Sequence, residues 1–470
     1  MKPVDPEFSR ISKLFVDRDQ TSGADAMQKR KEHVIVLRCG QDISTSATLQ
    51  LAVLTAARLA ARCFPDAVRI VAESELSKMP MLAWPDCTQS FGDILANSLS
   101  ASAFDPVESI NGRKTSLVFG QCDNESDALR ITFDGWIAKV GPCSSTPRLQ
   151  EREFCPLAGL LAASLGVSEA FLSFAGISLE ATRRTRALSL WRPDLPADDA
   201  DALGSPLQFL PLEIWLLGLG HLGNAYAWAL AALPYRKNYQ ATLYLMDYDT
   251  VEDSNLETCV LFDDSDLHEF KTRACAKWLE DRGFLTRIVE RPLDENFRCR
   301  EDEPRLALCG FDTNSARRNL ETAGFLRIIE SGLGDTKYNF DTISLHTLPN
   351  PRSVDALWPE LDEEQKEQRK LERERLAREN AGYLNLGGDE CGRIELAGKS
   401  VAVPFVGLTA ATFTIAETLR VFHENGSHYS DLKIRLGTLN GISSQRAGNY
   451  SPLDSVGLRN IAIGDQAADQ

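Results

Sequence analysis

No two cysteines of this chain stand three residues apart. The 11 cysteines are odd in number and scattered, which excludes a paired disulfide framework and a CxxC-type zinc site. Most of them read as reduced core residues. Positive charge is also scarce: 51 Lys and Arg against 67 Asp and Glu leave a net charge of −16. That deficit excludes nucleic acid as the main partner, because no surplus of cations is left for phosphates. An acidic surface serves solubility, or a protein partner with a basic face. Apolar runs are broken within about a dozen residues, so no bilayer-spanning segment is expected. The first ten residues, MKPVDPEFSR, lack the apolar core of a signal peptide, and the expectation is a cytoplasmic protein. The 470 residues are 43% hydrophobic and 25% charged, which allows about two or three domains with cores of their own.

The polar first 30 residues hold only Phe8, Ile11, Leu14 and Phe15 as core candidates. His33 to Leu37 (HVIVL) then reads as a strand. Cys39-Gly40-Gln41, a helix from about Ser46 to Ala61 and a strand Val68 to Ala72 follow. Strand, small turn, helix and strand make a nucleotide-type α/β unit, but a turn with one glycine has lost the means to hold phosphate. Further strands are expected within 115–140, and an apolar helix from Leu157 to Leu165 precedes Phe171 to Phe174. Residues 192–206, RPDLPADDADALGSP, have a linker's composition, with 196–206 as its core. From Leu207 the α/β alternation repeats with its glycines intact. The fold expected is therefore α/β, with two Rossmann-like halves: residues 1–195 degenerate, 207–470 active. The halves share a pattern rather than sequence identity, so two unrelated α/β domains remain the alternative. Pro359 to Glu379 is dense in charge, and Asp362/Lys366 and Glu374/Arg378 stand four apart, as on a solvated helix. It belongs to an excursion over 355–400 that reads either as a plain surface helix or as a mobile arm.

Trp215 to Lys271 carries the chemistry. An apolar strand runs into Gly218, Gly220 and Gly223 in GxGxxG spacing, and a helix follows, so backbone N–H groups face a phosphate chain. A lone GxGxxG is shared with dehydrogenases and flavoproteins. Here a second strand, Thr242 to Met246, ends in Asp247-Tyr248-Asp249, and Ser254-Asn255-Leu256 and Lys271 come after it. The series resembles the ThiF/MoeB and ubiquitin-activating superfamily, whose members adenylate the C-terminal glycine of ubiquitin-like proteins. The resemblance covers about Leu210 to Glu424, including Val403-Pro404-Phe405-Val406-Gly407 and the helix after it.

The resemblance implies ATP and Mg2+ rather than NAD. It implies that Gly218, Gly220 and Gly223 admit the phosphates and that Asp247, with Asp249 beside it, holds the ribose. Asn255 and Lys271 would line the phosphate site. Asp312, in CGFDTNSARR after the strand Leu306 to Cys309, would bind magnesium. Taken singly, Asp247 also reads as a loop acid or helix cap, and Lys271 as a solvated helix residue. Two departures matter. Thr258 stands where the family's SNLxRQ motif has arginine, which removes a cation from the phosphates. Phe8-Ser9-Arg10 resembles the family's N-terminal YSRQ segment, which implies that Arg10 acts as an arginine finger supplied by the first half of the same chain. The alternative is an ordinary arginine at a frayed terminus. The missing CxxC pairs point away from the sulfur-carrier branch, whose members commonly hold zinc, and towards activators of protein modifiers.

Ubiquitin-type activation also needs an exposed cysteine for a thioester. Cys391, in the glycine-rich GGDECGRIEL read as a loop, is the first candidate. Cys259, near the ATP site, is the second; Cys275 and Cys309 read as core. The expected function is an ATP-dependent activating enzyme that adenylates a ubiquitin-like protein and passes it through a cysteine thioester to a conjugating enzyme. It looks most like the activating enzymes of bacterial antiphage conjugation operons of the ISG-like (Bil) kind. A homodimer is left open. The alternatives are a sulfur-carrier adenylyltransferase without the thioester step and a weakly active binding scaffold.

Overall fold

The computed structural model describes residues 9–85, 87–105, 112–122, 127–385, 390–438 and 441–464. Phe8 lies outside them. The first half is built on strands rich in β-branched residues: β1 (Val34–Cys39), β2 (Val68–Ala72), β3 (Lys114–Phe119), β4 (Leu129–Asp134), β5 (Ile137–Pro142) and β6 (Arg186–Ser189). They pair in the order β2-β1-β3-β4-β5-β6. The first four are parallel, and β5 and β6 are added antiparallel.

The second half repeats this plan. After the short β7 (Phe209–Pro211) come β8 (Glu213–Leu217), β9 (Thr242–Met246), β10 (Leu285–Val289), β11 (Leu306–Cys309), β12 (Arg327–Leu333), β13 (Thr342–Leu348), β14 (Ser427–Arg435) and β15 (Ile442–Asn449). Their order is β10-β9-β8-β11-β12-β13-β14-β15. It is parallel through β12 and antiparallel beyond. A final β16 (Asn460–Ala462) pairs with β7. The α/β class with parallel-containing sheets is thus what the pattern predicts.

Between the two sheets lies a layer of four helices. Ala47–Cys63, N-capped by Ser46, packs on Leu157–Phe174, and His221–Ala231 packs on Pro404–Arg420. Leu157–Phe174 and Pro404–Arg420 pack on each other and join the halves. A helix inside such a layer has no wet face, so it is apolar all round. All 17 residues of Pro404–Arg420 are buried. Small residues let the helices close in: a Cβ on Gly159 would stand 2.6 Å from Thr48 Cγ2. Some of their polar groups bond across the seam, where Ser164 Oγ donates to the Phe405 carbonyl at 2.8 Å and Trp228 Nε1 to Thr55 Oγ1 at 3.0 Å. One apolar core runs through both halves.

Two readings of the sequence are corrected. The helix expected to stop at Leu165 continues to Phe174, taking in Phe171 to Phe174. At 18 residues and mean hydropathy 1.6 it is long and apolar enough to cross a bilayer, contrary to expectation, but 89% of it is buried inside the protein. The apolar surface that composition registers faces other helices. The stretch read as a linker is no free tether: Trp136 donates to the carbonyls of Leu203 and Ser205, Ser189 Oγ donates to that of Ala202, and Ala202 is buried. The charge-dense segment does form a solvated helix, Glu363–Glu379, in which only Ala377 is buried.

Trp84, Trp228 and Trp278 meet at the seam with ring centroids 5.6 to 6.2 Å apart. Removing the central indole in Trp228→Ala is expected to destabilise the protein by about 3–5 kcal/mol, read from the shift of the urea midpoint.

Candidate functional site

The glycine turn connects β8 to His221–Ala231 at the C-terminal edge of the second sheet. Gly218 has φ of +80°, which a side chain resists, and a Cβ on Gly223 would stand 1.9 Å from the Gly218 carbonyl oxygen. These two glycines set the turn's shape. Gly220 is different, because a Cβ there would meet nothing within 4 Å. It opens the backbone to a ligand at the N-terminal end of an 11-residue helix, the electropositive end.

Asp247 follows β9 and is nearly buried. Its Oδ2 accepts the Leu219 N–H at 2.6 Å and its Oδ1 the Asp249 N–H at 2.8 Å, so the carboxylate braces the glycine turn. Lys271 begins the Lys271–Glu280 helix and reaches Asp249 Oδ2 at 3.0 Å. Burial opposes its charge, but Asp247 and Asp249 outweigh burial and raise its pKa above the usual lysine range. Lys271 is therefore a fixed cation beside the turn. Asn255 lies on the Asp253–Thr258 helix, where its Oδ1 accepts the Glu252 N–H at 2.9 Å in a capping box. Thr258 is buried and turned onto its own helix, donating to the Ser254 carbonyl at 3.2 Å.

Asp312 is exposed just past β11. Its loop is held by Arg317, which donates to the Phe311 carbonyl at 2.6 Å and pairs with the fully buried Glu330 at 2.8 Å. Among the described residues no three His, Cys, Asp or Glu side chains gather as a metal site. One strand-end carboxylate still suits Mg2+, which takes one or two protein oxygens and the rest from phosphates and water.

Arg10 is not at a frayed terminus. It sits beside this site, brought from the first half, with Nε donating to the Ser400 carbonyl at 3.1 Å and Nη2 to Ser400 Oγ. Burial lowers its pKa, while Cys259, Asp312 and Glu257 act to hold its charge. Cys259 is buried, with its thiol pushed up to about 11 by burial. A buried thiol held protonated is a poor nucleophile, which weighs against the second candidate. Cys275 and Cys309 are buried, as core residues should be.

Cys391 stands apart from this cluster. It is exposed, but it lies in the first turn of the Glu390–Gly398 helix rather than in a loop; residues 386–389 of its segment are outside the described ones. That helix packs on Glu363–Glu379, where Arg378 pairs with Glu390 at 2.6 Å.

Sequence reasoning missed four kinds of residue. Asn224, fully buried, accepts the Leu261 N–H at 2.8 Å and donates to the Leu219 carbonyl at 3.2 Å, fixing the turn to the chain beyond Cys259. Arg30, Arg58, Arg62 and Glu257 carry the seam behind it. Arg58 and Arg62 carried a signal, as polar residues in an otherwise apolar helical pattern, whereas Arg30 and Glu257 lie in polar helices and carried none. Gly407 was read only as part of a segment, yet a Cβ there would stand 2.4 Å from His221 Nε2. His221 was read only as a spacer of the glycine motif.

His221 is pushed down to about 3 by burial, with Arg10 adding to the effect. The unfolded chain takes up this proton near the ordinary histidine value of 6.5, and the folded chain resists it down to about 3. Its contribution to stability is therefore complete above pH 6.5 and lost as pH falls through that window. Between pH 7 and 5, wild type should lose up to about 2 kcal/mol more than His221→Gln, read from denaturant midpoints.

Two family models match the chain: the BilD N-terminal domain over residues 34–190 and the BilD C-terminal domain over residues 210–425. The chain is 34% identical over 421 residues to a bacterial E1-like protein, BilD, of Collimonas sp. (strain OK412), covering 88% of each. Among solved structures it is similar to E. coli MccB, with TM-score 0.36 and 18% identity over 52% of this chain and 64% of that one. It is also similar to PaaA, with TM-score 0.31 and 15% identity over 51% and 64%. The chain belongs to the BilD family of bacterial E1-like proteins.

Proposed function

We propose that the protein activates a ubiquitin-like protein with ATP. The C-terminal glycine carboxylate attacks the α-phosphorus, pyrophosphate leaves, and an acyl-adenylate forms. A cysteine thiolate then attacks the acyl carbon, AMP leaves, and the thioester is handed to a conjugating enzyme. The observation that carries the reading is the convergence of the Gly220 opening, the fixed Lys271 cation and Arg10 from the other half beside the Asp312 strand end. Such a site acts by positioning and charge rather than by covalent chemistry.

In this reading the backbone at Gly220 takes the phosphates, and Asp247, in bracing the turn, faces the ribose. Asn255 and Lys271 border the phosphate chain. Arg10 supplies the cation that Thr258 does not. Asp312 would hold Mg2+, which when bound neutralises charge on the leaving pyrophosphate. Cys391, as the exposed thiol of the arm, takes the thioester. The first half serves as the inactive partner. At its own turn Asp42 accepts the Gln121 N–H at 2.9 Å and pairs with Arg148, so side chains take up the polar groups a phosphate would need. The resemblance to antiphage conjugation operons extends the proposal to that setting.

Incubation with MgATP and the ubiquitin-like protein encoded beside its gene, followed by a non-reducing gel, tests the reading. A DTT-sensitive adduct is expected in wild type and not in Cys391→Ala, while ATP–pyrophosphate exchange persists in that variant. Arg10→Ala should slow exchange by about 10³-fold, the scale of an arginine finger. Exchange without any adduct would favour a sulfur-carrier-type adenylyltransferase, and wild type without exchange would sink the adenylation reading.

A further inference from the structure

Glu257 occupies the variable position of the motif, just before the Thr258 that replaces arginine. It is 2% exposed, and its carboxylate is bonded by residues of the first half at the seam. Ser9 Oγ donates to it at 2.7 and 3.0 Å, and Arg30 Nη1 at 3.0 Å. Arg30, fully buried, also donates from Nη1 to Ser9 Oγ and Ser12 Oγ, both at 3.0 Å. Its remaining nitrogens reach the carbonyls of Cys63 and Arg62 at 2.8 and 2.5 Å. Ser9 Oγ accepts the Ser12 N–H at 2.9 Å, which sets the start of the Ser12–Asp19 helix. Four helices from two halves thus meet on one buried charge node, and the residue next in sequence to Ser9 is Arg10.

A buried ion pair is a weak source of stability, since apolar packing of equal volume often does as well. What such a node supplies is a fixed geometry. Its satisfied hydrogen bonds leave Ser9 one position, and the backbone direction at Ser9 sets where the Arg10 guanidinium emerges, beside Cys259 and Asp312. The helix that has lost its own arginine at Thr258 carries, one residue earlier, the acid that seats another.

We propose that Glu257 is a positioning residue for adenylation, holding Arg10 over the nucleotide site through Ser9 and Arg30 and so replacing the arginine missing at Thr258. The proposal rests on the adenylation reading above. A merely structural carboxylate would support folding without acting through Arg10.

A double-mutant cycle on ATP–pyrophosphate exchange, with the same ubiquitin-like protein, separates the two. Glu257→Gln keeps the shape and is expected to lower kcat about tenfold with the KM for the ubiquitin-like protein unchanged, a loss of about 1.4 kcal/mol. In an Arg10→Ala background the same change should cost less than twofold. Ser9→Ala, which weakens the node without stranding a charge, should repeat the pattern if Glu257→Gln fails to fold. Equal fold-losses in both backgrounds, or no loss from either substitution, would overturn the proposal while leaving adenylation intact. Wild type without exchange would overturn both together.

Discussion

The rest of the structure depends on how the first half clasps the chain segment from Glu257 to Phe262. The chain leaves the Asp253–Thr258 helix and from Cys259 to Phe262 belongs to no helix or strand, so its carbonyls there need donors from elsewhere. Arginines on Ala47–Cys63 supply them. Arg62 donates to the carbonyls of Cys259 and Phe262 at 2.8 and 2.9 Å, and Arg58 to that of Val260 at 2.7 Å. Burial lowers the pKa of Arg58 to about 10 and of Arg62 to about 9, so both stay charged near neutral pH. A charged donor to a buried carbonyl makes a strong hydrogen bond, and losing it leaves an orphaned acceptor. The apolar four-helix layer draws the halves together, and the arginines decide how they meet.

The candidate site inherits its geometry from that clasp. Cys259 lies on the clasped segment and Asn255 on the helix that leads into it, Arg10 arrives across it, and Asn224 ties the glycine turn to the chain at Leu261. The second half alone would carry the turn, Asp247, Lys271 and Asp312, but not Arg10 and no support for the crossing segment. The opposing charges are arranged to last: Lys271 faces two carboxylates, while His221 beside Arg10 stays neutral and adds no repulsion.

The arm that bears Cys391 is attached by different physics. Its apolar contacts form a small separate cluster of Val16, Ala377, Tyr383 and Ala397. The other ties are polar: Tyr383 donates to Asp17 at 2.6 Å, the Lys13 ammonium lies 5.5 Å from the Tyr383 ring centroid, and Asn380 donates to the Val16 carbonyl at 3.0 Å. An element held by few apolar contacts opens at lower cost than the core. The platform beneath it is the Ser12–Asp19 helix, whose preceding residues present Arg10, so the arm and the arginine share one support.

Much of this was legible in the residues taken in order. Apolar runs marked the parallel strands, glycines in GxGxxG spacing marked the turn, and the acids and lysine of the second half fell at strand ends and a helix start. Local geometry and spacing suffice for such features because each is set by neighbours in sequence. The burial of Leu157–Phe174 was not legible, since an apolar helix reads alike whether it faces lipid or other helices. Nor was the helical setting of Cys391, because glycines beside it suggested a loop while its packing partner lies about a dozen residues upstream, beyond one helical turn. The position of Arg10 and the roles of Glu257, Arg30, Arg58 and Arg62 follow from hydrogen bonds between residues up to 390 positions apart. The order of residues by itself determined the elements and the inventory of the site. Only the docking of two halves decided which charges face each other, because burial and direction are properties of the packed whole.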